Sequence, residues 1–282
     1  AAFGRPGDEG IVVEPVYDSY VPAIETVGGT AVFAQLKFPD YAPDWTQVAS
    51  LISPQTRMII INSPHNPTGS LLTASDLDKL AELVRGTNIV VLSDEVYEHI
   101  VFDGERHASV CGHHELAARS IVVSSFGKTY HITGWKIGYV VGPAALMAEF
   151  RKVHQFNVFT VHTPSQLALA EYMQDASRHL GLAAFYEEKR DFFRHLMAET
   201  PFELLPCRGT YFQLASYRAI SDLPDRAFAE WMTREVGVAV IPVSVFYADG
   251  RDDRVVRFCF AKKEETLIAA AERLRKAFVK RP

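Results

Sequence analysis

The chain has 282 residues, 48% hydrophobic and 22% charged, with 29 Lys and Arg against 34 Asp and Glu for a net charge of -5. That length allows one large domain or two ordinary ones around a substantial core, and the balance is that of a soluble globular protein, which argues against general disorder. No basic run could neutralise a row of phosphates, which argues against nucleic acid as a partner, and apolar runs such as VGVAVIPVSVFY from Val236 to Tyr247 fall short of the roughly 18 residues a spanning helix needs.

The opening AAFGRPGDEG lacks the basic-then-apolar order of a signal peptide and reads as the end of a helix, a turn and a strand. Short β-branched runs then recur up to about residue 142: IVV from Ile11, AVFAQL from Ala31, MIII from Met58, IVVL from Ile89, IVVSS from Ile121 and IGYVV from Ile137. Helical patterns lie between several of them. In TASDLDKLAELVRG, Thr73 and Asp76 make a capping-box start, Leu77, Leu80, Ala81 and Val84 form one apolar face, and Gly86 stops the helix. Strands alternating with helices predict an α/β fold with a mostly parallel sheet covered on both faces.

After Pro164 the pattern becomes a long helical stretch, read as two helices or one interrupted near Gly181. A smaller α+β unit is expected next: strand GTYFQLASY, helix DRAFAEWMTREV with Phe228, Trp231 and Met232 on one side, strands VAVIP and RVVRFCF, and a last helix from Glu264 to Phe278. The expected division is residues 1–170 and 171–282. Cys111, Cys207 and Cys259 are odd in number, far apart and without a CxxC, which fits a reducing, cytoplasmic setting better than a disulfide framework or a zinc site.

In a parallel sheet the carboxyl ends of the strands open onto the ligand crevice, so polar residues just after apolar runs are the first candidates for chemistry. Asp94, Ser125 and Lys128 stand there. Lys128 follows a strand exit and Gly127; it is either a solvated surface charge or an amine poised to form a Schiff base. Lys136 with Ser124, Ser125 and Thr129 would suit a phosphate, or be a solvated loop. Asp94 could equally cap a turn, and the Asn, Pro and Gly residues of NSPHNPTGS, Asn62 to Ser70, could be turn residues alone. His65, His131, His113 and His114 have no carboxylate or cysteine partners at ligand spacing and are read as structural or solvated, with no metal expected.

Taken together, NPTG (Asn66–Gly69), SDEVY (Ser93–Tyr97), SFGKTYHITGWKIG (Ser125–Gly138) and RFCFAK (Arg257–Lys262) resemble, in the same order, pyridoxal-phosphate-dependent aminotransferases of fold type I, class I/II. The resemblance covers essentially the whole chain. Lys136 where Arg is commoner, with GTYFQL and IPVSVFY, is similar to the methionine aminotransferase and kynurenine aminotransferase (glutamine transaminase K) branch.

The resemblance implies pyridoxal 5'-phosphate as cofactor, with Lys128 bonded to its aldehyde and moving the reacting proton. It implies Asp94 on the ring nitrogen, Asn66 and Tyr97 on the phenolic oxygen, Tyr17 stacked on the ring, and Ser125 and Lys136 on the phosphate. Asn66 and Arg257 would bind the substrate, Arg257 through two parallel hydrogen bonds to its α-carboxylate. The strand VVRFCF places Arg257 opposite Val256, Phe258 and Phe260, although an edge-strand arginine in solvent would show the same alternation.

The implied reaction moves an amino group from a methionine-, glutamine- or aromatic-type amino acid to a 2-oxo acid, in a homodimer with sites at the interface. Two alternatives are a cysteine-conjugate β-lyase using the same cofactor and a non-catalytic effector domain of a regulator. The family also has an N-terminal segment carrying a phosphate-binding helix and a tyrosine lent to the neighbouring subunit. Ala1–Gly7 is expected to be the tail of that helix and the turn after it.

Overall fold

The computed structural model describes residues 1–278. Seven strands form the first sheet: β1 Glu9–Glu14, β2 Thr30–Lys37, β3 Ala42–Pro43, β4 Thr56–Asn62, β5 Val90–Asp94, β6 Ser120–Ser125 and β7 Gly138–Val141. Their spatial order is β3-β2-β1-β4-β5-β6-β7, with β3 and β7 antiparallel to their neighbours and all other pairs parallel. The β-branched runs are therefore the strands of a mostly parallel sheet.

Alternation within the strands feeds two cores. Ile11, Ile59, Ile61, Val91 and Val122 face the helix Ala74–Val84, where Leu77, Leu80, Ala81 and Val84 are buried. The intervening Val12 and Ile60 face the other side, against Val21 and Ile24. The capping box is present: the Thr73 hydroxyl accepts from the Asp76 amide at 3.2 Å, and the Asp76 carboxylate accepts from the Thr73 amide at 2.8 Å.

Some expectations need correction. Residues 1–8 are not helical: Pro6 lacks an amide hydrogen, Gly7 sits at φ +89°, and its N–H bonds the Gly28 carbonyl at 3.0 Å, so the segment turns directly into β1. The stretch after Pro164 forms three helices, Thr163–Tyr172, Ser177–Leu180 and Leu182–Met197. Of VAVIP only Ile241–Pro242 pairs as a strand, because Gly237 at φ +74° redirects the chain and Val238 and Val240 enter the core.

The second sheet has order β10-β11-β9-β8, with β8 Glu203–Leu204, β9 Phe212–Ser216, β10 Ile241–Pro242 and β11 Val255–Cys259, all antiparallel. It packs on helices Leu182–Met197, Asp225–Trp231 and Glu264–Phe278. The core between them holds Phe193, Phe228, Met232 and Phe258, and also Tyr97, Ile100 and Phe102 from the loop after β5. The first half of the chain thus contributes side chains to the second half's core. β11 is an interior strand, and Arg257 pairs across it with both Leu214 and Ile241, so it is not an edge arginine.

Candidate active site

The ends of β4, β5 and β6 lie side by side, with Asn62 in register with Asp94 and Asp94 with Val123. A cavity of about 770 Å³ opens above them, lined among others by Tyr17, Asn66, Asp94, Tyr97, Lys128 and Arg257. Ser125 and Lys136 line the same cavity. All eight candidate residues therefore meet at one place. Ser124 also reaches the cavity, but its hydroxyl donates to Glu98 at 2.9 Å, while Thr129 is buried and does not line it.

Lys128 is carried by a single helical turn, Phe126–Thr129, that follows β6 at once. Ser125 caps this turn, its hydroxyl accepting from the Gly127 amide at 3.1 Å. Gly127 and Gly138 are needed for close approach: a Cβ at Gly127 would stand 2.9 Å from the Thr133 backbone, and one at Gly138 would stand 2.3 Å from the Ser124 carbonyl oxygen. The Lys128 ammonium lies 6.0 Å from the Tyr97 ring centre and 5.8 Å from that of Tyr211. Tyr97 is buried, and that burial, with Tyr211 alongside, pushes its phenol well above the usual range.

Asp94 ends β5. Tyr20 donates its hydroxyl to Asp94 Oδ2 at 2.6 Å and the Val96 amide donates to Oδ1 at 3.1 Å, while the Asn62 side chain donates to the Asp94 backbone carbonyl at 2.9 Å. Burial raises the Asp94 carboxyl above the ordinary carboxylate range, and the Tyr20 and Val96 bonds oppose that rise by favouring the charged form. Asn62 also accepts from the Asn66 amide at 2.8 Å, which fixes the NPTG turn to the end of β4.

Arg257 reaches the cavity from the second sheet. Its Nη1 donates to Asn66 Oδ1 at 2.6 Å, and its guanidinium carbon lies 4.0 Å over the Phe212 ring and 5.2 Å from that of Phe246. Burial lowers its pKa from the ordinary arginine value. Lys136 adopts φ +56° at the end of a short turn and is exposed. The Tyr17 ring is 37% exposed, edge-on to Tyr20 with centres 5.4 Å apart and planes at 70°.

None of the four candidate histidines lines the cavity. His131 meets the Tyr186 hydroxyl at 3.3 Å, His113 meets Asp78 at 3.2 Å, and His114 is exposed. Among the described residues no group of three His, Cys, Asp or Glu could hold a metal ion.

His65 is buried in the NPTG turn, bonded to the Thr68 hydroxyl at 2.7 Å and to the Pro15 carbonyl, and burial drives its pKa down to about 3. A depressed histidine pKa makes the folded state bind fewer protons than the unfolded chain between the ordinary value near 6.5 and about 3. Stability from His65 is thus complete above about pH 6.5 and is lost as pH falls, by about 1.4 kcal/mol per unit within that window. His65→Gln should remove that dependence, read as a shallower fall in denaturation midpoint between pH 6 and pH 4; an unaltered slope would contradict it.

Sequence reasoning missed Tyr20, Asn62 and Tyr211. The strand-exit rule that selected Asp94 would also have selected Asn62, the last residue of β4. Tyr211 lies in the quoted GTYFQL, and Tyr20 lies three positions beyond Tyr17 with no local sign of its partner.

The donor set suits one group. An amine, a partly buried carboxylate, hydroxyl donors, an ammonium and a guanidinium surround a cavity large enough for a substituted pyridine ring joined to an amino acid. With a parallel sheet presenting them at its carboxyl edge, fold and site define a pyridoxal-phosphate enzyme of fold type I.

The chain matches the family model for aminotransferase class I and II over residues 1–274. It is 50% identical over 275 residues to methionine aminotransferase of Escherichia coli (strain K12), covering 97% of this chain and 71% of that protein. It is 34% identical over 304 residues to kynurenine–oxoglutarate transaminase 1 of Rattus norvegicus, covering 96% and 72%. The solved structure of Escherichia coli YbdL, for which a methionine aminotransferase function is identified, superposes with a TM-score of 0.95 at 50% identity over 98% of this chain and 73% of that one. The chain belongs to the class I and II aminotransferases. It is a pyridoxal-phosphate-dependent enzyme that transfers amino groups, and these relatives favour transfer over the β-lyase and non-catalytic readings.

Proposed function

We propose that the enzyme takes the amino group of a methionine-, glutamine- or aromatic-type amino acid, passes it to a 2-oxo acid, and does so with the eight residues converging on the cavity. The observation that carries this reading is Arg257, a forked cation that bonds Asn66, lies over Phe212 and lines the same cavity as Asp94. A guanidinium there can grip one α-carboxylate bidentately. Ile241, Val245 and Phe246 also line the cavity, which suits a large uncharged side chain. Two relatives are named for methionine and for kynurenine, an aromatic amino acid, which supports two of these side-chain types.

When bound, pyridoxal phosphate supplies an aldehyde that bonds amines and a cationic ring that takes up electrons released at the substrate α-carbon. Asp94 would keep a proton on the ring nitrogen. Asn66 and Tyr97 would donate to the phenolic oxygen, Tyr17 would cover the ring, and Ser125 with Lys136 would hold the phosphate, Lys136 as a point charge. Arg257 orients the substrate carboxylate so that the Cα–H bond is the one set to break. Lys128 Nζ would be the base that takes the substrate α-proton and the acid that gives it back.

We divide the chain into a cofactor-binding large domain, 1–170, and a small C-terminal domain, 171–282, with the boundary in the helix Thr163–Tyr172. The protein is proposed to work as a cytoplasmic homodimer. Three free cysteines support the compartment, and Phe156 at 83% and Phe159 at 87% exposure support a covered face. No helix among the described residues is long and apolar enough to cross a membrane.

The test is an absorbance titration of the cofactor-loaded protein against single amino acids, followed by a 2-oxo acid. Methionine, glutamine and aromatic amino acids should shift the cofactor band and the oxo acid should restore it. A response confined to aspartate and glutamate would overturn the substrate class.

A further inference from the structure

We propose that Tyr20 is a positioning residue for the cofactor, holding the Asp94 carboxylate with its hydroxyl while its ring fixes the plane of Tyr17. The inference rests on the reading of Asp94 as the partner of the ring nitrogen.

The bond from Tyr20 Oη to Asp94 Oδ2, at 2.6 Å, joins residues 74 positions apart. Asp94 cannot shift freely to lose it, because the Val96 amide holds Oδ1 and Asn62 holds the backbone carbonyl. Tyr20 is equally constrained. It opens the helix Tyr20–Glu25, and its amide donates to the Tyr17 carbonyl at 3.2 Å, which closes a tight turn between the two tyrosines. The rings then meet edge to face, a favoured aromatic geometry. One side chain therefore ties the group that faces the ring nitrogen to the group that covers the ring.

A phenol suits this role chemically. Towards a carboxylate it acts as a donor, and burial with Asp94 beside it pushes its own pKa well above the ordinary value, so it keeps its proton. Other charges facing Asp94 are Lys128, which favours the carboxylate, and Glu95, which disfavours it. Glu95 is itself pinned by His107 at 2.8 Å and Ser93 at 2.8 Å, and Tyr97 completes the surroundings as a neutral phenol. Of the side chains around Asp94, Tyr20 donates to the carboxylate directly.

The experiment uses the full chain stripped of cofactor, titrated separately with pyridoxal phosphate and pyridoxamine phosphate by absorbance across pH. Tyr20→Phe keeps the ring contact with Tyr17 and removes only the donor. It should weaken binding of both forms by about tenfold, as expected for a lost hydrogen bond to a charged group. The acid limb of binding should also move to higher pH, because Asp94 then protonates more readily. Tyr20→His, which restores a donor, should recover part of both effects. A Tyr20→Phe protein with wild-type affinity and pH profile, or a Tyr20→His protein no better than the Phe variant, overturns the proposal. Failure of the wild-type chain to bind either form overturns the Asp94 reading beneath it.

Discussion

Replacing Lys128 by Ala is expected to lower transamination by at least about ten-thousandfold, because it removes both the amine that bonds the cofactor and the base that moves the proton. The position cannot be taken over by a neighbour. Lys128 sits on a four-residue turn fixed by the Ser125 cap, and Lys136, the other lysine lining the cavity, leaves from a left-handed turn at the solvent edge. Borohydride treatment should attach cofactor irreversibly to the wild-type protein and leave the variant unlabelled. Because Asp94, Tyr97, Ser125 and Lys136 remain, Lys128→Ala should still bind the cofactor non-covalently. Retained turnover, or labelling of a different lysine, would refute the assignment.

The second large effect is expected at Arg257. Changing it to Gln should cut kcat/KM for amino acids by about a hundred- to a thousandfold, equivalent to losing one or two charge-assisted hydrogen bonds at roughly 1.5–3 kcal/mol each. Arg257→Lys should recover only a small part, since an ammonium cannot present two parallel donors to a carboxylate and would lie less well on the Phe212 face. The cofactor spectrum without substrate should hardly change in either variant. Steady-state kinetics combined with spectral titration separates these outcomes. If Arg257→Gln keeps wild-type kcat/KM, the substrate carboxylate is held elsewhere.

The fold was readable where local pattern and tertiary context agree. Runs such as Met58–Ile61 are apolar on both faces because helices cover the sheet on both sides, and the Thr73–Asp76 cap is encoded within four residues. The strand-exit rule located Asp94, Ser125 and Lys128 because a parallel sheet sends all such ends to one edge. Arg257 was legible only through resemblance, since alternation alone also fits a surface arginine.

Other features depend on distant partners. Nothing near Tyr20 announces a bond to a carboxylate 74 residues on, and nothing near Val238 says that it enters a core instead of pairing in a strand. The break near Gly181 was legible because Gly181 ends the short helix Ser177–Leu180, whereas the contact of the Tyr130 hydroxyl with His179 at 3.3 Å has no local sign. For Ala1–Gly7 the turn at Pro6 and Gly7 was legible locally, whereas the helix tail expected before it by analogy is not there.

Tyr97, Ile100 and Phe102 are threaded from the first sheet into the hydrophobic interior of the second. Neither half of the gene therefore encodes a self-sufficient folding unit, for separating them would strip three large side chains from one and bare an apolar hole in the other. Heat or denaturant should meet a single cooperative body, and damage deep in the C-terminal core will reach Tyr97 through shared packing without touching the catalytic wall directly.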